Sequence, residues 1–134
     1  MEKTVVIGGK PVRMRASALI PRLYRFKFGR DLLNDMRQLQ KAYVKAKAAE
    51  EEEEKEAQLS VIDLTIFEAV AWLMVYHAED TAYKRGEITE RTVPNDPDEW
   101  LDSIDGVVSV YEIMPEIIDL WEANTATTSV PRKK

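Results

Sequence analysis

The first residues of the chain alternate between apolar and polar side chains. Residues 4–7 and 10–15 form two short extended segments, and Gly8-Gly9 separates them. A Gly-Gly pair supplies the positive φ angles that a two-residue hairpin turn requires. The second segment alternates apolar and basic residues: Val12, Arg13, Met14 and Arg15. The pattern predicts a β-hairpin whose apolar face packs on helices, because a lone hairpin is marginal in water.

Two helices are predicted after the hairpin. Ser17 is expected to cap the first helix, which is well formed from Pro21 and stops at Gly29. Its predicted apolar side consists of Leu19, Leu23, Phe26 and Phe28. The second helix begins near Asp31, whose acid suits a helix N-terminus. Its stripe at helical spacing predicts one buried face, made of Leu32, Met36, Leu39 and Tyr43.

The apolar stripe of the second helix disappears in the Ala/Glu-rich segment 46–58. This segment has high helix propensity but no side that needs burial. Two interpretations stay open, a solvated helix extension and a mobile linker.

A long apolar segment follows. Ser60 and Asp63 match a capping box, and the chain from Val61 to Ala78 is apolar nearly all round. This predicts a central buried helix that ends before Gly86, with a loop from Glu87 to Asn95.

The last third of the chain begins with a strong helix start. Asp96 is expected to cap a short helix, with Pro97 at its first position and Glu99 at the third. A further helical stripe is predicted from Val107, Val110, Tyr111, Met114, Ile117, Ile118 and Trp121. Pro115 is expected to kink this helix or to start a new one. Residues 125–134 are predicted to be a disordered tail.

These elements predict a mainly α fold: a small helical domain of about four to six helices with an N-terminal β-hairpin. The chain has 134 residues, which suggests a single domain over residues 1–124. No uninterrupted apolar run approaches the roughly 18 residues of a membrane span, and no signal-peptide region begins the sequence. We therefore expect a cytoplasmic protein without membrane contact.

The composition excludes several kinds of catalytic and metal-binding site. The sequence has no Cys and one His, which excludes disulfides, thiolate metal sites and a thiol nucleophile. His77 lies near Glu79 and Asp80, but a zincin needs two His at i and i+4. Gly8-Gly9-Lys10 lacks the spacing of a Walker loop. We expect no catalytic residues, no metal and no cofactor; a hydrolase of unrecognised type has no residue constellation in its favour.

The net charge of −5 is unevenly distributed along the chain. Residues 1–47 carry a net charge of +9, and residues 48–134 carry −14. The split is compatible with a nucleic-acid surface, and equally with attraction between the two parts, within one chain or between chains. We favour partner contacts over nucleic acid. The candidate residues for partner binding or self-association are Arg13, Arg15, Arg22, Arg25, Arg30, Trp100 and Trp121.

Two blocks of the sequence carry a resemblance. Residues 21–31 read PRLYRFKFGRD, which resembles the opening "P-R-L-Y-R-x-x-F-G-R-D" of tail assembly chaperones from long-tailed phages and prophages of Gram-positive bacteria. Residues 100–104 and 111–121 are similar to the C-terminal half of that family. With the buried helix between them, the blocks cover most of residues 4–124. The structural motif residues are Pro21, Tyr24, Phe28, Gly29, Asp31 and Trp72.

The resemblance implies a function without catalysis. Proteins of this family bind the long tape measure protein while the tail tube polymerises around it, and tail tube subunits then displace them. They are mostly helical and tend to form homo-oligomers. The resemblance also implies a location in the cytoplasm of the bacterial host and absence from the mature virion. The alternative is a small nucleic-acid-binding regulatory protein that uses the basic N-terminal third.

Overall fold

A β-hairpin and five helices make up the computed structural model, which describes residues 1–51 and 59–129. The predicted class, mainly helical with an N-terminal antiparallel hairpin, is confirmed. The elements are β1 (Glu2–Ile7), β2 (Lys10–Arg15), α1 (Ile20–Phe28), α2 (Leu32–Glu51), α3 (Val61–Lys84), α4 (Pro97–Asp102) and α5 (Val110–Ser129). Residues 52–58, part of the Ala/Glu-rich segment, and residues 130–134 lie outside the described residues.

The hairpin has the predicted turn. Gly8 and Gly9 have φ angles of 60° and 78°, and Ile7 pairs with Lys10 across them. Positive φ at both central positions is the requirement of the turn that matches strand twist. A Cβ on Gly8 would also lie 2.9 Å from the side chain of Ile104, so the turn packs closely on the segment after α4.

Helix α3 is the centre of the fold. It is buried along most of its length, and β2, α1, α2, α4 and α5 all contact it. Strand β1 instead packs against α5, where Lys3 forms salt bridges with Glu116 and Asp119. The inner face of the hairpin contributes Val5, Ile7 and Met14 to the same core.

Helix caps follow the predicted chemistry at two positions. The Ser60 hydroxyl accepts a hydrogen bond from the Asp63 N–H, and the Asp63 carboxylate accepts one from the Ser60 N–H, which completes the capping box of α3. The Asp96 carboxylate accepts hydrogen bonds from the N–H groups of Asp98 and Glu99 at the start of α4. Both caps satisfy donors that a helix N-terminus leaves free.

The prediction for α1 was wrong in two respects. The N-cap residue is Leu19 without a side-chain hydrogen bond, while the Ser17 hydroxyl accepts from the Leu19 N–H. Of the predicted apolar side, Leu23 and Phe28 pack half-buried against the core, but Leu19 and Phe26 are exposed, and the fully buried residues are Ile20 and Tyr24. A short helix with two competing apolar stripes does not reveal which one the core selects.

The C-terminal helix also departs from the prediction. Helix α5 runs through Pro115 without a new start and continues to Ser129, five residues into the predicted tail. Val107 is 87% exposed and outside the stripe, whose buried residues are Ile113, Met114, Ile117, Leu120 and Trp121. In the predicted solvated segment, α2 continues to Glu51 and buries Ala46 and Ala49. Small alanines leave no visible stripe, so the pattern missed them.

By length and composition alone, α3 is apolar enough to cross a membrane. In this fold, however, 67% of its most apolar window is buried by the other elements. A core helix of a soluble protein meets the same test, and the surrounding helices and hairpin show why α3 carries so many apolar residues.

His77 is a buried polar residue on α3. Its Nε2 lies 2.8 Å from the Ser17 hydroxyl. Among the described residues, neither Nδ1 of His77 nor Nε of Arg15 has a hydrogen-bond partner. Burial, followed by the positive charge of Arg15, lowers the pKa of His77 to about 4. The ring is therefore neutral at pH 7 and packs as part of the buried interior of the domain.

Acid should destabilise the domain through His77. Its pKa is about 4 in the folded state and 6.5 ordinarily, so the unfolded chain takes up the proton first as the pH falls. Above pH 6.5 the neutral ring contributes roughly 3 kcal/mol to the free energy of unfolding, and this contribution is lost as the pH falls towards 4. Urea unfolding at several pH values in this range measures how steeply the free energy of unfolding falls with pH. The variant His77→Gln should flatten this slope, and an unchanged slope in that variant would contradict the assignment.

Candidate partner-binding surfaces

Residues 21–31, which carry the first block of the resemblance, form the corner between α1 and α2. Gly29 has a φ of 67° and donates its N–H to the Arg25 carbonyl, which ends α1. Asp31 then accepts a hydrogen bond from the Leu33 N–H at the start of α2. The block is thus a structural unit that reverses the chain between two helices.

A buried carboxylate holds this corner together. Asp35 is 2% exposed and accepts hydrogen bonds from the Tyr24 hydroxyl at 2.7 Å and from Nε and Nη2 of Arg30. Burial alone would raise the pKa of Asp35, but the hydrogen bonds from Arg30 and Tyr24 outweigh it and hold the pKa below its usual value. Sequence reasoning missed Asp35, although the acid falls within the apolar stripe of α2.

An aromatic cluster continues from the corner onto α3. The Tyr24 and Phe28 rings lie 5.0 Å apart, and Phe28 meets Trp72 edge-on at 6.0 Å. The Trp72 indole N–H donates to the Pro94 carbonyl, and the Lys27 ammonium lies 5.4 Å from the Trp72 ring. The motif residues Tyr24, Phe28, Gly29, Asp31 and Trp72 therefore pack or hydrogen-bond within the domain, and Pro21 lies in the first turn of α1.

Most of the residues predicted for partner binding are used inside the domain. Trp100 and Trp121 belong to the buried core, so neither is exposed to a partner, and that prediction was wrong for both. Arg30 binds Asp35, and Arg13 binds Glu2 and Glu87. Arg15 is half-buried beside His77. These positions join the basic and acidic parts of one chain or support its core.

Arg22 and Arg25 are different, because both are exposed on α1. The Arg22 guanidinium lies 5.0 Å from the centre of the Phe26 ring, which is 73% exposed. Within the described residues, neither arginine has a salt-bridge partner. Leu19, Arg22 and Phe26 recur at spacings of three and four residues and share one side of the helix. We call these three residues the outer face of α1.

A groove opens between α1, α3 and α4. It has a volume of about 520 Å³, and its apolar lining includes Phe28, Val61, Ile62 and Leu101. Val61 and Ile62 are 80% and 61% exposed, although they belong to the most apolar helix of the fold. They lie in the first turn of α3, beyond the part that the other elements cover. We call this feature the α3 groove.

One wall of the α3 groove is acidic. Glu68 and Asp98 line it, and no Lys or Arg of the described part of the chain forms a salt bridge with either. Burial, followed by repulsion from Asp98, raises the pKa of Glu68. Two cations, Lys27 and Arg30, also line the groove, but Lys27 donates to the Asn95 carbonyl and Arg30 is paired with Asp35. Glu68 and Asp98 are therefore carboxylates without a salt bridge of their own in this part of the structure. Sequence reasoning missed this pair, because Glu68 and Asp98 lie on different helices.

A second cavity, of about 390 Å³, lies between the hairpin, α3 and the loop before α4. Glu79 lines it, and its carboxylate accepts hydrogen bonds from the N–H groups of Thr92 and Val93 and from the Thr92 hydroxyl. Through these hydrogen bonds the Glu79 carboxylate stabilises the loop before α4. Among residues 1–51 and 59–129, no group of three or more His, Cys, Asp or Glu side chains is arranged to hold a metal ion.

Comparison with protein-family models, with curated proteins and with solved structures gives no match to this chain.

Removing Arg30 should destabilise the domain more than removing a neighbouring arginine. Arg30→Met leaves the buried Asp35 carboxylate with Tyr24 as its one remaining side-chain donor. We expect a loss of roughly 2–3 kcal/mol, below the cost for a fully buried pair because Arg30 is half exposed. Arg25→Met, at an exposed position of the preceding helix α1, should change stability by less than about 0.5 kcal/mol. Equal losses in urea unfolding would show that Arg30 has no special role.

Proposed function

We propose that this protein is a non-enzymatic tail assembly chaperone that binds the tape measure protein and promotes assembly of the tail tube. The proposal combines the resemblance of residues 21–31, 100–104 and 111–121 with one structural observation. Large apolar side chains remain exposed on a domain that is otherwise charged at its surface, on α2 as well as in the α3 groove. Exposed apolar surface bordered by polar groups is typical of protein-binding sites.

We assign client binding to the exposed apolar side chains of α2. Leu33 and Val44 are both exposed and lie about three turns apart, on the same side of the helix. Such contacts suit a chaperone, since they offer a long helical client several attachment points without a rigid pocket. Function in the bacterial cytoplasm, release when tail tube subunits arrive, and absence from the mature virion belong to the same proposal.

Self-association is also part of the proposal. Lys3 and Arg13 already use their charges within the chain, whereas Arg22 and Arg25 are among the exposed basic residues that remain available to another copy. Several copies side by side would cover a long client better than one.

Co-expression with the tape measure protein tests the chaperone activity. We expect the tape measure protein to stay soluble and to copurify with this chain, because its exposed helices would be covered. The double variant Leu33→Ser/Val44→Ser should reduce copurification severalfold by removing apolar contacts. Val107→Ser removes a side chain of similar exposure elsewhere and should have no effect. An insoluble tape measure protein in the presence of the folded wild-type chain would refute the proposal.

The nucleic-acid alternative makes a different prediction. Lys3, Arg13 and Arg30 are paired with carboxylates, which reduces the positive potential of the N-terminal third. In fluorescence polarisation with random DNA and RNA oligonucleotides, we therefore expect no binding at low micromolar protein and physiological salt. Tight binding, with a logarithm of the binding constant that falls linearly with the logarithm of the salt concentration, would favour the alternative.

A further inference from the structure

The outer face of α1 and the α3 groove have complementary chemistry. The outer face presents the apolar side chains of Leu19 and Phe26 with the cation of Arg22, and Arg25 lies at its edge. The α3 groove presents Val61 and Ile62 beside the carboxylates of Glu68 and Asp98, and the cations that also line it, Lys27 and Arg30, are bound to the Asn95 carbonyl and to Asp35. Each surface offers what the other lacks, since Arg22 and Arg25 have no salt-bridge partner among the described residues and neither do Glu68 and Asp98.

The two surfaces cannot meet within one chain. The α3 groove is lined by Tyr24 and Phe28 from the inner side of α1. At 100° per residue, Leu19, Arg22 and Phe26 lie nearly opposite Ile20 and Tyr24, so the outer face points away from the groove. Each copy therefore carries both surfaces on different sides, and a contact between them requires a second copy.

We propose that the α3 groove of one copy binds the outer face of α1 of a second copy of this chain. Phe26 and Leu19 of the second copy would cover Val61 and Ile62, and its Arg22 and Arg25 would face Glu68 and Asp98. The proposal makes specific the self-association that is included in the proposed function, but it does not require the tape measure protein.

The symmetry of this contact has a consequence. Two different patches meet, so the contact is head-to-tail and leaves a free α1 face at one end and a free groove at the other. Repetition yields rings or open chains rather than a closed two-fold dimer. Opposite charges at the contact make the association sensitive to salt, because the arginines and carboxylates lie at the protein surface.

Sedimentation velocity with the full chain tests the proposal. At low salt we expect a concentration-dependent series of species that shifts towards monomer at 0.5 M NaCl. Phe26→Ser and Ile62→Ser, both at exposed positions, should each weaken association at least tenfold, while Val107→Ser serves as the matched control without effect. Circular dichroism of each variant checks that the helices are intact. A folded wild-type protein that is monomeric at every concentration would overturn the proposal.

Mixing the two variants distinguishes a head-to-tail contact from a symmetric one. Phe26→Ser keeps an intact groove, and Ile62→Ser keeps an intact outer face. An equimolar mixture should therefore form a dimer that grows no further, although neither variant associates alone. If mixing restores nothing, the contact is not between these two surfaces, and the proposal fails.

Charge exchange provides an independent test of the polar part of the contact. Arg22→Glu/Arg25→Glu should weaken association, and so should Glu68→Lys/Asp98→Lys. A mixture of the two double variants should recover affinity, because the unchanged groove of the first binds the unchanged outer face of the second, and the two reversed surfaces are complementary as well. If neither double variant weakens association, the charged groups are not part of the contact; if both weaken it and the mixture recovers nothing, with both variants folded, the proposed contact is overturned.

The tape measure pull-down separates this proposal from the proposed function. If the Ile62→Ser variant retains the tape measure protein as well as the wild-type chain does, the chaperone function stands and the groove remains free for a second copy. A monomeric chain that loses the tape measure protein through Ile62→Ser would show that the groove holds the client, which overturns the second-copy proposal. A self-associating chain that never retains the tape measure protein would overturn the chaperone function alone.

Discussion

The apolar helix α3 is the constraint on which the fold depends. A helix that is apolar on nearly every side must be covered on nearly every side, and β2, α1, α2, α4 and α5 together do so. Coverage fails at its first turn, where Val61 and Ile62 remain exposed between α1 and α4. The α3 groove is therefore a direct result of how a short chain surrounds a long apolar helix.

Features set by a few neighbouring residues could be predicted from the sequence. The Gly8-Gly9 turn, the Ser60 capping box and the Asp96 cap each depend on the local conformation of three or four residues, and all three are present. The buried stripe of α2 was also visible, because a long helix repeats its pattern over several turns. The mainly helical class of the fold and the order of its elements could be predicted from these local signals.

Features set by tertiary packing could not be predicted in the same way. On α1 the sequence favoured Leu19, Leu23, Phe26 and Phe28, of which Leu23 and Phe28 pack against the core. The core fully buries Ile20 and Tyr24 instead, and the Tyr24 hydroxyl reaches the buried Asp35 on α2. Trp100 and Trp121 were predicted as contact residues, yet their position against α3 places them in the core. The acidic wall of the groove could not be predicted either, because Glu68 and Asp98 are thirty residues apart in the sequence and come close only when the chain folds.

The two sides of the short helix α1 have different surroundings. Its inner side is fixed by the aromatic cluster and by the hydrogen bonds to Asp35, which are internal and do not need a partner. Its outer side contributes little to that core, because Phe26 and both exposed arginines face solvent. Changes on the outer side should therefore leave the domain folded. Across the charge split, Lys3 pairs with Glu116 and Asp119, and Arg13 pairs with Glu87. In the self-association that we propose, Arg22 and Arg25 would use their charges on another copy.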